Sequence, residues 1–131
     1  MKKILYILIL GFVLVSCVTT DGASQGKHKF VSRTEKIVLK GNATTGYMWN
    51  AVVDNSGVYE VADEDYEPYD AAPGMVGVGG EYTATLKSVR QGKGSVIFEY
   101  SRSWEDSPIK RIRYDIEVDE RGFINVSEAF F

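Results

Sequence analysis

The sequence predicts an all-β domain, an immunoglobulin-like antiparallel β-sandwich of about seven strands. Three observations predict it. Every periodic segment from Phe30 onward repeats with a period of two, no segment keeps helical spacing over three turns, and turn sequences separate the runs at roughly regular intervals.

The first run, "EKIVLK" at 35–40, is short, and the second sets Tyr47, Trp49, Ala51 and Val53 on one face. "VYEV" at 58–61 is a weaker third. Tyr82, Ala84 and Leu86 then alternate with threonine and lysine, and Val96, Phe98 and Tyr100 repeat the pattern. Ile112, Tyr114, Ile116 and Val118 alternate with Arg113, Asp115 and Glu117, as one face in a core and one in water require. "FINV" at 123–126 closes the series. Between the third and fourth runs, "DEDYEPYD" at 63–70 reads as a solvated acidic loop with some capacity to steer a basic partner. It lacks the spacing and glycine of a calcium-binding EF-hand loop, so neither a metal nor a cofactor is expected.

A chain of 131 residues with net charge -3 and no internal repeat fits one domain with a sizeable core. The acidic balance argues against nucleic acid. The basic residues of "KRIR" at 110–113 are spread along a strand instead of forming a phosphate-neutralising patch.

The N-terminus reads as an address. Lys2 and Lys3 precede an apolar run from Ile4 to Val15, which is too short to span a bilayer and has the charged and hydrophobic regions of an export signal. The run ends in "LVSC", which resembles the lipobox of bacterial lipoproteins, so Cys17 is expected to be lipidated and to become the first mature residue. Residues 1–16 are then a signal peptide, 17–29 a polar tether, and 30–131 the domain. The protein is expected in the bacterial cell envelope, held to the membrane by its lipid. Val18 in place of an aspartate points to the outer membrane or cell surface. Cys17 is the only cysteine, so no internal disulfide supports the fold. A monomer is expected.

Strand reversal sorts the loops. Loops separated by two antiparallel strands lie at the same end of a sandwich, which groups 41–46, 73–80 and 102–108. The turns "DNSG" at 54–57, "RQGKG" at 90–94 and "DERG" at 119–122 fall at the other end and have ordinary solvent-facing turn composition. The first end is different, because it carries "NATTG", then Met75, Val76 and Val78 within "PGMVGVGG", then Trp104 within "SRSWEDSP". Apolar residues grouped on loop tips mark a binding surface, Trp104 being its aromatic anchor. The alternative is that Trp104 and the valines Val76 and Val78, with Met75, fold back as a cap on the core.

The set "NATTGYMW" at 42–49, "GVGG" at 77–80 and "RSW" at 102–104 resembles, in order, the three signature loops of the chagasin family, inhibitors of papain-like cysteine peptidases. The resemblance covers about residues 30–131 and implies a reversible, competitive inhibitor on an immunoglobulin-like sandwich, with a papain-like peptidase as partner. It implies that Thr44 and Thr45 enter the catalytic cleft on a loop shaped by Asn42 and Gly46, with Ala43 and Tyr47 also binding the peptidase. Gly77, Gly79 and Gly80 would let backbone pass close to the enzyme with Val78 among the contacts beside them, and Arg102, Ser103 and Trp104 would form the third contact. Ala43 and Ser103 stand where the family commonly has proline. Restoring proline at either position is expected to tighten binding a few fold by ordering the loop beforehand.

An enzyme is not expected. His28, the only histidine, lies in the tether, so no nucleophile has a base. The alternative function is a non-inhibitory envelope module acting in assembly or adhesion, which would need no threonine loop.

Overall fold

Alternating apolar side chains give each strand one face that must be covered, and two sheets cover each other here. A computed structural model describes residues 28–131; the signal reading of 1–16, Cys17 and most of the tether lie outside the described residues. Seven strands follow in order: β1 (Thr34–Gly41), β2 (Met48–Val53), β3 (Tyr59–Pro68), β4 (Gly80–Ser88), β5 (Gly92–Ser101), β6 (Lys110–Val118) and β7 (Ile124–Ala129). They form a three-stranded sheet, β1-β4-β3, and a four-stranded sheet, β2-β5-β6-β7, with every pairing antiparallel. The immunoglobulin-like sandwich expected from the period of two is the fold observed.

The core is the set of inward positions. Ile37 and Leu39 of β1, Tyr82, Ala84 and Leu86 of β4, Tyr59 at the start of β3 and Val58 just before it meet Trp49, Val96, Phe98, Ile116 and Val118 from the facing sheet. Phe30 packs against this cluster from ahead of β1. Two of the core's polar ends find partners across the sandwich. The Trp49 indole donates to the Lys40 carbonyl at 3.0 Å, and the Tyr59 hydroxyl donates to the Ser95 carbonyl at 2.7 Å. Burial pushes the Tyr59 phenol up to about 12, so it stays a neutral donor through the physiological range.

Two expectations are corrected. Residues 63–68 are not a loop, because β3 runs unbroken to Pro68 after a register shift between Val61 and Asp63. Beyond this bulge, Glu64 and Tyr66 stand opposite Ala84 and Tyr82, and the Tyr82 hydroxyl donates to the Glu64 carboxylate. Asp63, Asp65 and Glu67 are exposed on an edge strand, where charge keeps an open edge from pairing with another chain. The second correction is Val53, read as an inward residue, which is 50% exposed at the end of its strand.

The end opposite the apolar loops is pinned by Asp54. Its carboxylate accepts from the Ser95 amide at 2.6 Å, the Ser56 hydroxyl at 2.7 Å and the Ser56 amide at 3.2 Å. Burial works to raise its pKa, but these donors outweigh it and hold the carboxyl below its ordinary 3.8. A depressed folded pKa gives stability that is present above the unfolded value and lost as pH falls through the folded one. Asp54→Ala is therefore expected to lower unfolding stability by about 1–3 kcal/mol near pH 7, with the gap to wild type narrowing below about pH 4. Urea titrations at pH 7 and in the acid range measure it; equal midpoints at pH 7 would contradict the role given to Asp54.

Candidate functional site

The chain crosses from β1 to β2 through Asn42–Tyr47, and the crossing is built on a cap. Asn42 is extended, with φ -140° and ψ 92°, and begins a single 3-10 turn over Ala43–Thr45. Its Oδ1 accepts from the Thr44 amide at 3.1 Å and from the Thr44 hydroxyl, while its carbonyl accepts from the Thr45 amide at 3.2 Å and the Thr45 hydroxyl at 2.6 Å. The turn closes at Gly46, whose amide donates to Ala43 O at 3.0 Å with φ at 84°, a conformation that favours glycine. Thr44 and Thr45 are left exposed at the tip.

Two tyrosines support the turn from beneath. The Asn42 amide donates to the Tyr100 hydroxyl at 2.8 Å, and the Ala43 amide donates to the Tyr66 hydroxyl at 3.2 Å. The Tyr100 ring also stacks on Tyr47, with centroids 5.2 Å apart, and lies 4.7 Å from Trp49. Neither Tyr66 nor Tyr100 was picked out by the sequence as belonging to the site. The only signal was that each is a tyrosine near the end of a strand that leads into one of the site's loops.

The second loop, 69–79, joins the first through the Asn42 side chain, whose Nδ2 donates to Gly77 O at 2.9 Å. Val78 and Gly79 are half-buried behind it, and the Tyr69 amide donates to Gly79 O at 2.9 Å. Gly80 is buried as the first residue of β4, and a Cβ there would lie 2.4 Å from Glu67 O and 2.7 Å from the Tyr66 hydroxyl. Its lack of a side chain is thus required by packing inside the domain. Met75 and Val76 project into solvent, Val76 being 93% exposed, so the core-cap alternative does not hold for them.

The third loop clasps the first from the other side. Arg102 lies over the Tyr47 ring with Cζ 4.1 Å from its centroid, and 5.6 Å from that of Trp104. Its Nε donates to Thr45 O at 3.0 Å and its Nη1 meets the Glu105 carboxylate at 3.2 Å. Residues 102–105 form a turn closed by the Glu105 amide on Arg102 O at 3.1 Å. Among the described residues no non-glycine has positive φ, so the turn is type I with Ser103 at its second position, where proline is favoured. Trp104 does not cap the core: it is 69% exposed, and its ring covers Gly46, where a Cβ would come within 2.6 Å of it.

All thirteen residues singled out by sequence therefore converge on one end of the sandwich, in three loops tied to one another by hydrogen bonds and aromatic contact. One expectation changes in detail. Proline at 103 suits the observed turn, but proline at 43 could not supply the amide that Tyr66 accepts, so a simple gain from Ala43→Pro is not expected.

The chemistry available here is recognition. His28 faces Arg121 at 3.2 Å, and Arg121 belongs to the turn between β6 and β7 at the other end of the domain. Among the described residues no three His, Cys, Asp or Glu side chains group to hold a metal. A groove of about 550 Å³ lies away from these loops, lined by Asp54, Lys93 and Arg113 among others. The loop end instead displays Met75, Val76 and Trp104 to solvent.

The sequence profile described as "Chagasin family peptidase inhibitor I42" matches residues 31–118. The chain is similar to Amoebiasin-1 of Entamoeba histolytica, 35% identical over 91 residues that make 66% of this chain and 76% of that protein. It is also similar to Amoebiasin-2 of the same organism, 27% identical over 85 residues, 63% of this chain and 68% of that one. In structure it resembles the crystal structure of the cysteine protease inhibitor EhICP2 from Entamoeba histolytica, with TM-score 0.57 and 26% identity over 66% of this chain and 78% of that one.

The geometry separates residues that hold the loops from residues they display. Asn42→Ala removes the cap and the link to Gly77 and is expected to lower stability by about 1–2 kcal/mol in urea unfolding. Trp104→Ala is expected to change it by no more than about 0.5 kcal/mol, as for other exposed substitutions. A larger loss for Trp104→Ala than for Asn42→Ala would reverse these roles.

Proposed function

Because the chain belongs to the chagasin family of peptidase inhibitors, we propose that its three-loop end enters the active-site cleft of papain-like cysteine peptidases and blocks it reversibly and competitively. The chain is an inhibitor and not an enzyme. The observation that carries the cleft reading is that Thr44 and Thr45 sit exposed on a turn whose neighbours on both sides are fastened to it.

The resemblance assigns Thr44 and Thr45 to the region of the peptidase's catalytic cysteine and histidine, and the local chemistry supports a blockade without cleavage. The amides from Asn42 to Ala43 are held by phenols, and those from Thr44 to Gly46 are held by Asn42 and Ala43. A chain so occupied cannot easily straighten into the extended form that brings a peptide bond into attack geometry, and hydrolysis requires that alignment. Trp104 offers a flat apolar face beside the turn, the type of residue that dominates interface energetics, and Arg102 holds the base of the same loop. The resemblance assigns Gly77, Val78 and Gly79 to the other side, where Gly77 is exposed and Val78 and Gly79 are half-buried.

We further propose that Cys17 carries a lipid that holds the inhibitor to the cell envelope as a monomer. The motive is the "LVSC" sequence at the end of an apolar run preceded by Lys2 and Lys3.

The full chain in mild detergent is expected to inhibit papain with competitive kinetics and to stay intact on a mass spectrum after prolonged incubation. Cleavage within 42–47 would identify a substrate instead. Trp104→Ala is expected to weaken inhibition by about 2 kcal/mol or more, roughly thirtyfold. Cys17→Ser is expected to move the protein from the membrane fraction to the soluble one with its melting temperature unchanged; retention in the membrane would overturn the anchor.

A further inference from the structure

Two phenols from opposite sheets meet two consecutive amides at the root of the threonine loop. Tyr66 stands on β3 and Tyr100 on β5, and their hydroxyl oxygens accept the Ala43 and Asn42 N–H groups at 3.2 and 2.8 Å. These amides open a 3-10 turn and have no partner within it, so each needs an acceptor from outside. Both side chains are half-buried with their oxygens turned to the loop, so neither is a contact displayed to a partner. The turn is thereby fastened to both sheets at the point where the chain passes from one to the other.

We propose that Tyr66 and Tyr100 are positioning residues that hold the threonine loop in its binding shape before the peptidase arrives, with Tyr66 replacing, through the Ala43 amide, the constraint a proline would impose at that position. This deepens the inhibitor reading and rests on it. The reasoning is geometric. Ala43 is the first residue of the 3-10 turn, a site that suits proline's φ, yet its N–H is already committed to Tyr66. A proline ring carbon would lie on the line of that 3.2 Å bond and displace the hydroxyl. Ring and hydroxyl are therefore alternative ways of ordering the same residue, and they exclude each other. Tyr100 acts on the preceding amide, which proline at 43 leaves in place, so its effect is independent of residue 43.

Preorganisation of this kind appears in the fraction of molecules ready to bind, so its loss weakens apparent affinity in proportion and is felt in the association rate. The test is a double-mutant cycle in the full chain, with inhibition kinetics against papain and amide hydrogen exchange at residues 42 and 43. Tyr66→Phe is expected to weaken inhibition roughly two- to tenfold, mainly by slower association, and to speed exchange at Ala43. Ala43→Pro alone is expected to give no tightening, but in the Tyr66→Phe background it should recover about two- to fivefold. Tyr100→Phe should weaken inhibition by the same factor with either residue at 43 and speed exchange at Asn42. Additive effects of Tyr66→Phe and Ala43→Pro would overturn the proposal, as would Tyr66→Phe leaving either inhibition or Ala43 exchange unchanged. A merely structural role would lower the melting temperature without this coupling. If the wild-type chain fails to inhibit papain, the inhibitor reading falls, and the exchange rates still decide whether the phenols hold the loop. If Tyr100→Phe does not fold, the Tyr66 and Ala43 arms decide alone.

Discussion

The three-loop edge depends on the side chain of Asn42. One amide group caps the 3-10 turn through its oxygen and reaches the second loop through its nitrogen, while the backbone carbonyl of the same residue gathers the amide and hydroxyl of Thr45. Loops ordinarily carry the mobility of a fold, and fixing a backbone residue costs about 1–2 kcal/mol. Here that cost is met during folding, because every amide from Asn42 to Gly46 has a partner in the free protein. A partner that meets this edge has less disorder to remove.

The third loop adds the complementary constraint. Arg102 is enclosed by Tyr47, Trp104, Thr45 O and Glu105, so its charge organises the inhibitor's own edge. Trp104 remains largely exposed in consequence, supported underneath by a glycine that leaves room for the ring. An exposed indole is unfavourable for an isolated domain and useful for one that binds. The same division applies to the glycines of the second loop. Gly77 joins Asn42 at the surface, whereas Gly80 lies inside and makes room for Tyr66 and Glu67.

Much of the fold was legible because period-two alternation is a direct consequence of burying one face of a strand, and β4, β5 and β6 each show it through aromatic or aliphatic residues inside and mostly polar or charged residues outside. The second half of β3 was not legible. Its bulge after Val61 shifts the register, and the carboxylates of 63–67 suit an edge strand as well as they suit a loop. The grouping of the three loops followed from strand reversal. The 3-10 turn over Ala43–Thr45 is too short to leave a period, although Asn42 ahead of it is a cap residue by type. Tyr66 and Tyr100 escaped notice because alternation counts a tyrosine as core and says nothing of where its hydroxyl ends. Only the fold shows that both reach the root of one loop.

A crystal structure of the full chain bound to papain tests the central claim most directly, since it reads the contact and the loop shape together. Thr44 and Thr45 should lie nearest the peptidase's catalytic cysteine, with Trp104 and residues 77–79 on either side and with the Asn42–Gly77 and Arg102–Thr45 hydrogen bonds retained. A complex formed through another face, or one in which those two bonds are broken so that the loop can enter, would contradict a wedge that is ordered before it binds.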